Sequence, residues 1–398
     1  MKVTQIVCGK FHHFHLARQL DHRGLLNAIW TGYPRAKLRD EPGVAPARIR
    51  TYPHWYVAYA LTQRVGALRR MPWLVDGLFW QSVDALDRKV ARWLDTPDLV
   101  VALSGSGLHA GRRAQALGGR YVCDRGSTHI TYQRDLLTQE YRDWGVEPPR
   151  FFDAIVDKEL AEYDTADCIT VPSSFVAESF IERGVPREKM RLIPYGGRLD
   201  RFQPVGAPDP NHFTLLFVGG ISPRKGIPYL LQAFERFRHP GKRLRIIGSP
   251  EPGIEDALSR LPRDRVEFLG QVPNTELARH YSAADALVLP SIEEGLAMVM
   301  GEALACGCPV IATTNTGAAE LFEHGEQGFI LPIRDIDALV GAMTQLADQP
   351  GLAGRMRAAA RERIQRIGGW DSYGKHWASI VETLSVSGAR TTRPAEAQ

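Results

Sequence analysis

The sequence predicts an α/β fold of two doubly wound parallel-sheet domains facing each other across a cleft. Three observations carry this reading. Short apolar runs without polar alternation recur along the chain, separated by helix-sized segments. One stretch rich in Gly, Pro and Asp, residues 194–211, interrupts that rhythm near the middle. The length of 398 residues, 44% hydrophobic and 24% charged, suits two or three ordinary globular domains.

The strands read in order as Val3 to Val7, Leu99 to Leu103, Tyr121 to Cys123 and Cys168 to Val171. After the seam they resume as Thr214 to Val218, Leu244 to Ile247, Val266 to Leu269, Ala286 to Leu289, Val310 to Ala312 and Gly328 to Leu331. Runs this short, rich in Val, Ile and Leu without alternation, belong to strands covered on both faces, since a half-exposed strand alternates. The helical segments between them make βαβ units. The seam divides residues 1–195 from residues 196–367. A last periodic stretch, 368–385, carries Trp377, Ile380 and Leu384 at helical spacing. The tail 386–398 is polar and is expected to be disordered.

Composition removes several function classes. A formal net charge of +4 is too small to argue for a nucleic-acid partner, and none is expected. Five scattered cysteines fit a reducing compartment, and the pair Cys306 and Cys308 lacks a second Cys/His pair at zinc spacing. No apolar run approaches the ~18 residues that cross a bilayer. The opening MKVTQIVCGK reads as a strand rather than a signal peptide, so a cytoplasmic location is expected. Residues 47–93 stand apart, with eight aromatic and eight basic residues against three acidic ones, Asp76, Asp84 and Asp87. Either the aromatics are core and the charges a solvated face, or the segment meets an anionic membrane surface or an acceptor with an apolar tail.

The richest chemistry lies in Ser291 to Thr313, SIEEGLAMVMGEALACGCPVIAT. A strand runs into a loop holding Glu293, Glu294 and Gly295, and a helix begins near Met298 that Gly307 is placed to end. Free amides at a helix start, here Leu296, Ala297, Met298 and Val299, favour a phosphate, and Gly295 lets backbone approach a ligand. Carboxylates hold phosphate poorly and sugar hydroxyls well. The segment therefore reads as a diphosphate cradle, with Glu294 and Glu302 holding sugars on either side. A second loop, FVGGISPRKG, follows the first strand of the second half. Gly219 and Gly220 permit tight turning, and Arg224 and Lys225 supply cations for a diphosphate.

These residues resemble the donor-site signature of retaining family 4 glycosyltransferases, E-G-x-A-x-V-x-x-E followed by A-L-A-C-G-x-P-V-I-A. The resemblance covers roughly residues 155–384 well and the first 150 poorly. It implies the GT-B architecture of two Rossmann-like domains, with the helix of 368–385 crossing back to the N-terminal domain and hinges near 195 and 368. It implies a nucleotide-sugar donor as substrate, no cofactor, and transfer with retention to a glycan or lipid-linked acceptor in polysaccharide or glycolipid synthesis. No metal is expected, because the loop amides with Arg224 and Lys225 can do a metal's job and no Asp-x-Asp element stands in a metal-binding context. The base would lie near Gly270, Glu302 would hold nucleotide hydroxyls and Glu294 the transferred sugar. Family members commonly carry an arginine where Gly220 stands, and Arg224 is the candidate to replace it.

The N-terminal half should face the acceptor. Gly9 stands where the family has a Gly-rich loop, but the G-x-G-x-x-G fingerprint of a nicotinamide enzyme is absent. His12, His13 and His15 follow with no carboxylate near in sequence, so they read as helix-start histidines. The family often places a histidine after the strand at 121–123, and Asp124 or His129 are the two residues that can fill that place. The competing readings are an epimerase or glycan phosphorylase of similar architecture and a nucleotide-sugar-binding protein without catalysis.

Overall fold

The computed structural model describes residues 1–38, 42–197 and 201–389. The apolar runs assemble into two separate sheets. The first holds β1 (Val3–Val7), β2 (Leu26–Thr31), β3 (Ile49–Thr51), β4 (Leu99–Leu103), β5 (Arg120–Asp124), β6 (Cys168–Val171) and β7 (Met190–Leu192), in the order β3-β2-β1-β4-β5-β6-β7. The second holds β8 (Phe213–Val218), β9 (Lys242–Ile247), β10 (Val266–Gly270), β11 (Ala286–Leu289), β12 (Val310–Thr313) and β13 (Gly328–Leu331), in the order β10-β9-β8-β11-β12-β13. All pairings within both sheets are parallel. The strand order reverses between β1 and β4 and again between β8 and β11. In such sheets the crevice outside the carboxyl ends at the reversal is where ligands bind.

Three of these strands are missing from the sequence-based list. β2 is interrupted by Asn27, whose amide bonds Asp98 (2.5 Å) and Thr4 (3.2 Å). β3 and β7 are three-residue edge strands whose side chains are partly exposed, so neither makes a continuous apolar run.

Helices cover both faces of each sheet. The helix Pro350–Ile367 lays Met356, Ala360 and Ile364 on the second sheet's core. Gly368 then takes a left-handed φ of +74° and ends it. The next helix, Trp370–Ala389, packs Tyr373, Trp377 and Val381 against Val3, Phe14 and Leu20 of the first half. Trp370 stacks on His15 at 3.9 Å, and Arg23 pairs with Asp371 at 2.6 Å. The two chain crossings run side by side, because a Cβ on Gly196 would lie 2.6 Å from the Trp370 Cα. The helix runs on to Ala389, past the boundary at 386 where the disordered tail was expected to begin, and within it the Ser385 hydroxyl donates to the Val381 carbonyl. Residues 390–398 lie outside the described residues.

Residues 47–93 form mainly three helices, His54–Arg64, Gly66–Arg69 and Pro72–Trp93. Their aromatics divide into two groups. Tyr56 packs on Tyr33, Tyr59 on Phe79, and Trp93 edge-on to Trp30, while Lys158 sits over Trp80. Trp55 and Trp73 instead face outward.

Candidate active site

The loops after β8 and β11, on either side of the second reversal, are built against each other. The fully buried run of β8 delivers the chain to Gly219, and the turn closes at Gly226, which begins the helix Ile227–Arg236 with φ +68°. A side chain there is excluded twice over: the conformation disfavours it, and a Cβ would lie 1.9 Å from the Pro290 carbonyl oxygen. The Ile292 amide donates to the Arg224 carbonyl at 2.8 Å. Behind them, the segment after β12 props the 291–297 loop, as the Glu294 amide donates to Asn315 and the Ala297 amide to Thr316.

This scaffold brings two cations onto two carboxylates. Arg224 Nε donates to Glu293 at 2.9 Å, its Nη2 lies 3.7 Å from Glu294, and Lys225 pairs with Glu294. Glu293 is fully buried and also accepts from the Thr128 amide, the Thr128 hydroxyl and Gln133, all from the other half. Burial alone would push the Glu293 carboxyl up. Arg224, the Thr128 amide and Gln133 outweigh it and hold the acid below its usual range. Burial likewise opposes the Arg224 charge, and Glu294 and Glu293 more than restore it. Glu293 has no role legible in the sequence. No pattern marks it, because its partners come from residues 128 and 133, more than 150 positions away.

Beside these groups lies a cleft of about 550 Å³, lined from one half by Ser127, Gln133 and Tyr141 and from the other by Gly220, Ser222, Arg224 and Lys225. Gly219 and Gly270 stand at the carboxyl ends of β8 and β10, in a row with Gly248 between them. Glu302 lies one turn into the helix Met298–Ala305. It accepts from the Tyr281 hydroxyl at 2.9 Å, and burial raises its carboxyl to about 7. The helix ends in a Schellman turn, Gly307 N–H to Leu304 and Cys308 N–H to Ala303, with Gly307 at φ +70°.

Two expectations change here. Gly295 does not make room for a ligand: a Cβ there would lie 1.8 Å from the Gly126 carbonyl, so its smallness lets the two halves touch. Its own carbonyl accepts from Ser173 at 2.6 Å. The Ala297 amide is occupied by Thr316 and is not free for phosphate, whereas the helix start at Met298 and Val299 has no side-chain cap. Leu296 and Met298 line a small apolar niche with Tyr195.

In the first half, His129 turns away from the cleft. Its ring packs between Tyr163 and Phe180, and Nδ1 caps the helix Ile130–Asp143 through the Thr131 amide. Burial, with Arg125 and Arg183, lowers it to about 4. Asp124 is the residue with polar reach. The histidines read as lacking a carboxylate have this one, because β5 brings it beside the loop after β1: Asp124 lies 2.6 Å from His12 Nε2 and 3.0 Å from His13 Nε2, and accepts from Thr170. Burial favours the neutral acid, yet His12 and His13 hold Asp124 well below the carboxylate range. His12 rests on Tyr195 (4.4 Å) and, with Phe11, Ser104 and Ser127, lines a second cavity of about 330 Å³. Gly9 lies at its root, accepting from Thr31. Phe11 is 64% exposed at an unusual φ of +24°.

Among the described residues two groups have donors close enough for a cation: His12, His13 and Asp124, and Asp84, Asp87 and His109. The second is engaged by Lys158 (3.0 and 2.9 Å) and by the amides of His109 and Ala110. All five cysteines are buried and free.

Two parallel-sheet domains with cations and carboxylates gathered at the second reversal, beside an interdomain cleft, define a GT-B glycosyltransferase fold. The family comparisons agree. Residues 13–196 match the model of the "Glycosyl transferase 4-like domain", and residues 200–363 match "Glycosyl transferases group 1". The chain belongs to the family 4 type of glycosyltransferase. It is 30% identical over 232 residues to the GDP-mannose-dependent alpha-(1-6)-phosphatidylinositol monomannoside mannosyltransferase of Mycobacterium tuberculosis, covering 52% of this chain and 60% of that protein. It is 32% identical over 232 residues to the D-inositol 3-phosphate glycosyltransferase of Pseudarthrobacter chlorophenolicus, covering 53% and 55%. The matches thus span a little over half the length of these curated relatives. Among solved structures, sucrose-phosphate synthase from Thermosynechococcus elongatus superposes with a TM-score of 0.68 at 23% identity, covering 97% of this chain and all of that one. HepE of Anabaena, solved with UDP, superposes with a TM-score of 0.67 at 18% identity over 97% and 100%. Both likenesses concern the fold.

Proposed function

We propose that the protein transfers a sugar from a nucleoside-diphosphate sugar to a glycan or lipid-linked acceptor, with retention at the anomeric carbon and without a metal. The observation that carries this is the convergence of Arg224 and Lys225 with Glu293 and Glu294 beside the 550 Å³ cleft. Residues 1–195 form the acceptor lobe in this reading and residues 196–367 the donor lobe.

The chemical problem is to break the bond between an anomeric carbon and a phosphate while negative charge grows on the leaving diphosphate. Arg224 and Lys225 are held in place by carboxylates before any donor arrives. A diphosphate takes over as their partner, which frees Glu294 to accept from hydroxyls of the transferred sugar. Preset cations cost no reorganisation in the transition state, and one such donor is worth ~10²–10³ in rate. The uncapped amides of Met298 and Val299 add the positive end of their helix. Glu302 holds nucleotide hydroxyls. The acceptor enters from the cavity of Phe11, His12 and Tyr195, and Asp124 fixes the His12 ring toward it. Attack from the leaving group's own side lets the departing phosphate take the acceptor proton, so no separate protein base is required. Closure of the lobes keeps water from hydrolysing the donor. The setting proposed is the cytoplasmic face of the membrane, in cell-surface polysaccharide or glycolipid assembly.

A thermal-shift screen against nucleoside diphosphates and nucleotide sugars tests this reading, because ligands that bind only the folded state raise the melting point. The matching donor should then support turnover that falls several orders of magnitude in Arg224→Ala. A loss below tenfold would reduce Arg224 to a structural partner of Glu293 and remove the central step.

A further inference from the structure

We infer that the helical tip formed by residues 55–73 is a docking surface for an anionic lipid bilayer, set beside the mouth of the acceptor cavity. The inference takes its purpose from the proposed lipid-linked acceptor, while exposure, charge and position carry it independently. Fourteen large apolar side chains are exposed among the described residues, and six of them, Trp55, Val57, Leu61, Val65, Met71 and Trp73, fall within these nineteen positions. Trp73 is 70% exposed and Leu61 51%. Soluble surfaces scatter such groups singly, and a cluster marks a place that meets something apolar.

The charge around the cluster selects the partner. From Pro42 to Val75 the chain holds five arginines and no Asp or Glu. Arg64 and Arg70 are exposed, and no carboxylate pairs with either among the described residues. The acidic residues further along already have partners: Asp76 pairs with Arg150 at the surface at 3.3 Å, and Asp84 and Asp87 pair with the buried Lys158. Exposed Trp, Leu and Val interleaved with uncompensated arginine suit the headgroup level of a bilayer, where aromatic rings sit half-wet and each cation meets anionic lipid. A purely apolar protein partner would leave those arginines unsatisfied.

Position ties the tip to catalysis. Tyr56, at its base, packs against Gly32, whose amide donates to the Cys8 carbonyl at 3.1 Å. The tip is therefore rooted at the carboxyl ends of β1 and β2, the end that presents Phe11 and His12. A saccharide on a lipid anchor would reach the cavity without leaving the membrane. No helix among the described residues is long and apolar enough to cross a membrane, so attachment of this kind lies on the surface.

The test is co-sedimentation of the full chain with phosphatidylcholine vesicles made with and without phosphatidylglycerol. Binding is expected only with phosphatidylglycerol, weakening as salt rises. Arg64→Gln combined with Arg70→Gln should weaken it about 30-fold, since each cation near the surface contributes ~1 kcal/mol. Leu61→Ser combined with Trp73→Ser should remove binding. Both double variants alter exposed positions and should keep the thermal shift with nucleoside diphosphates. The proposal is overturned by equal binding to both vesicle types, by binding to neither, or by variants that bind like the parent. Self-association without vesicles that the same variants abolish would also overturn it, assigning the face to a second copy. Vesicle binding without any nucleotide shift would leave the surface standing and defeat the transferase reading.

Discussion

Glu302 is a carboxylate kept where stability would prefer a neutral group, and that can be measured. Burial raises it from 4.5 to about 7, its neighbour is the Tyr281 hydroxyl, and no cation faces it among the described residues. In the unfolded chain it titrates near 4.5, so between 4.5 and about 7 the folded state holds the proton that the unfolded state has lost. Stability therefore falls as pH rises through this window and is level above it. A rise of about 2.5 pH units at 1.36 kcal/mol each gives a cost of about 3 kcal/mol at pH 8. Glu302→Gln keeps the shape and removes the charge. The variant should match the parent near pH 4.5 and exceed it by about 3 kcal/mol at about pH 8, while binding nucleoside diphosphates more weakly. Urea denaturation followed by tryptophan fluorescence across this range measures both curves. Two curves separated by the same amount at every pH, or a variant less stable at pH 8, would refute the argument that burial sets this group.

The remaining predictions concern the lobes and the chemistry. Glu293→Ala strands Arg224 and leaves the donors of Thr128 and Gln133 unmet inside the protein, so it should cost about 3–5 kcal/mol. Thermal denaturation checks this, and a cost below ~1 kcal/mol would mean that water replaces the carboxylate freely. Turnover should survive exhaustive chelation, because Arg224 and Lys225 supply the charge that a metal would. A rate lost to chelator and restored by magnesium or manganese would contradict this, and His12, His13 and Asp124 would then be the ligands to mutate first.

Much of the fold follows from local chemistry. Strands covered on both faces favour apolar side chains without alternation, so β4 and β11 are legible as unbroken runs and β1, β6 and β8 as runs rich in Val, Ile, Leu and Phe. Edge strands are not, because β3 and β7 bury too little to leave a pattern. The donor loops are also legible, since Arg224-Lys225 and Glu294 to Glu302 are short-range spacings set by one turn and one helix. Structure and sequence part where a residue's partner is distant along the chain. Gly295 faces Gly126, the Ala297 amide meets Thr316, and the histidines after β1 meet Asp124 on β5. His129 and Asp124 were equal candidates by position, and only the packing of Tyr163 and Phe180 around one ring separates them.

What the chain determines by itself is the alternation of buried strand and helix, the break between the halves, and the loops that carry cations and carboxylates, because each depends on neighbours within a dozen residues. Tertiary structure alone decides that Glu293 spans the two lobes, that Asp124 receives two imidazoles, and that Trp55 and Trp73 are exposed while Trp80 and Trp93 are half-buried. Those outcomes depend on which distant surfaces exclude water from one another. Burial and hydrogen-bond partnership are settled by the whole packed chain and are written in no short stretch of it.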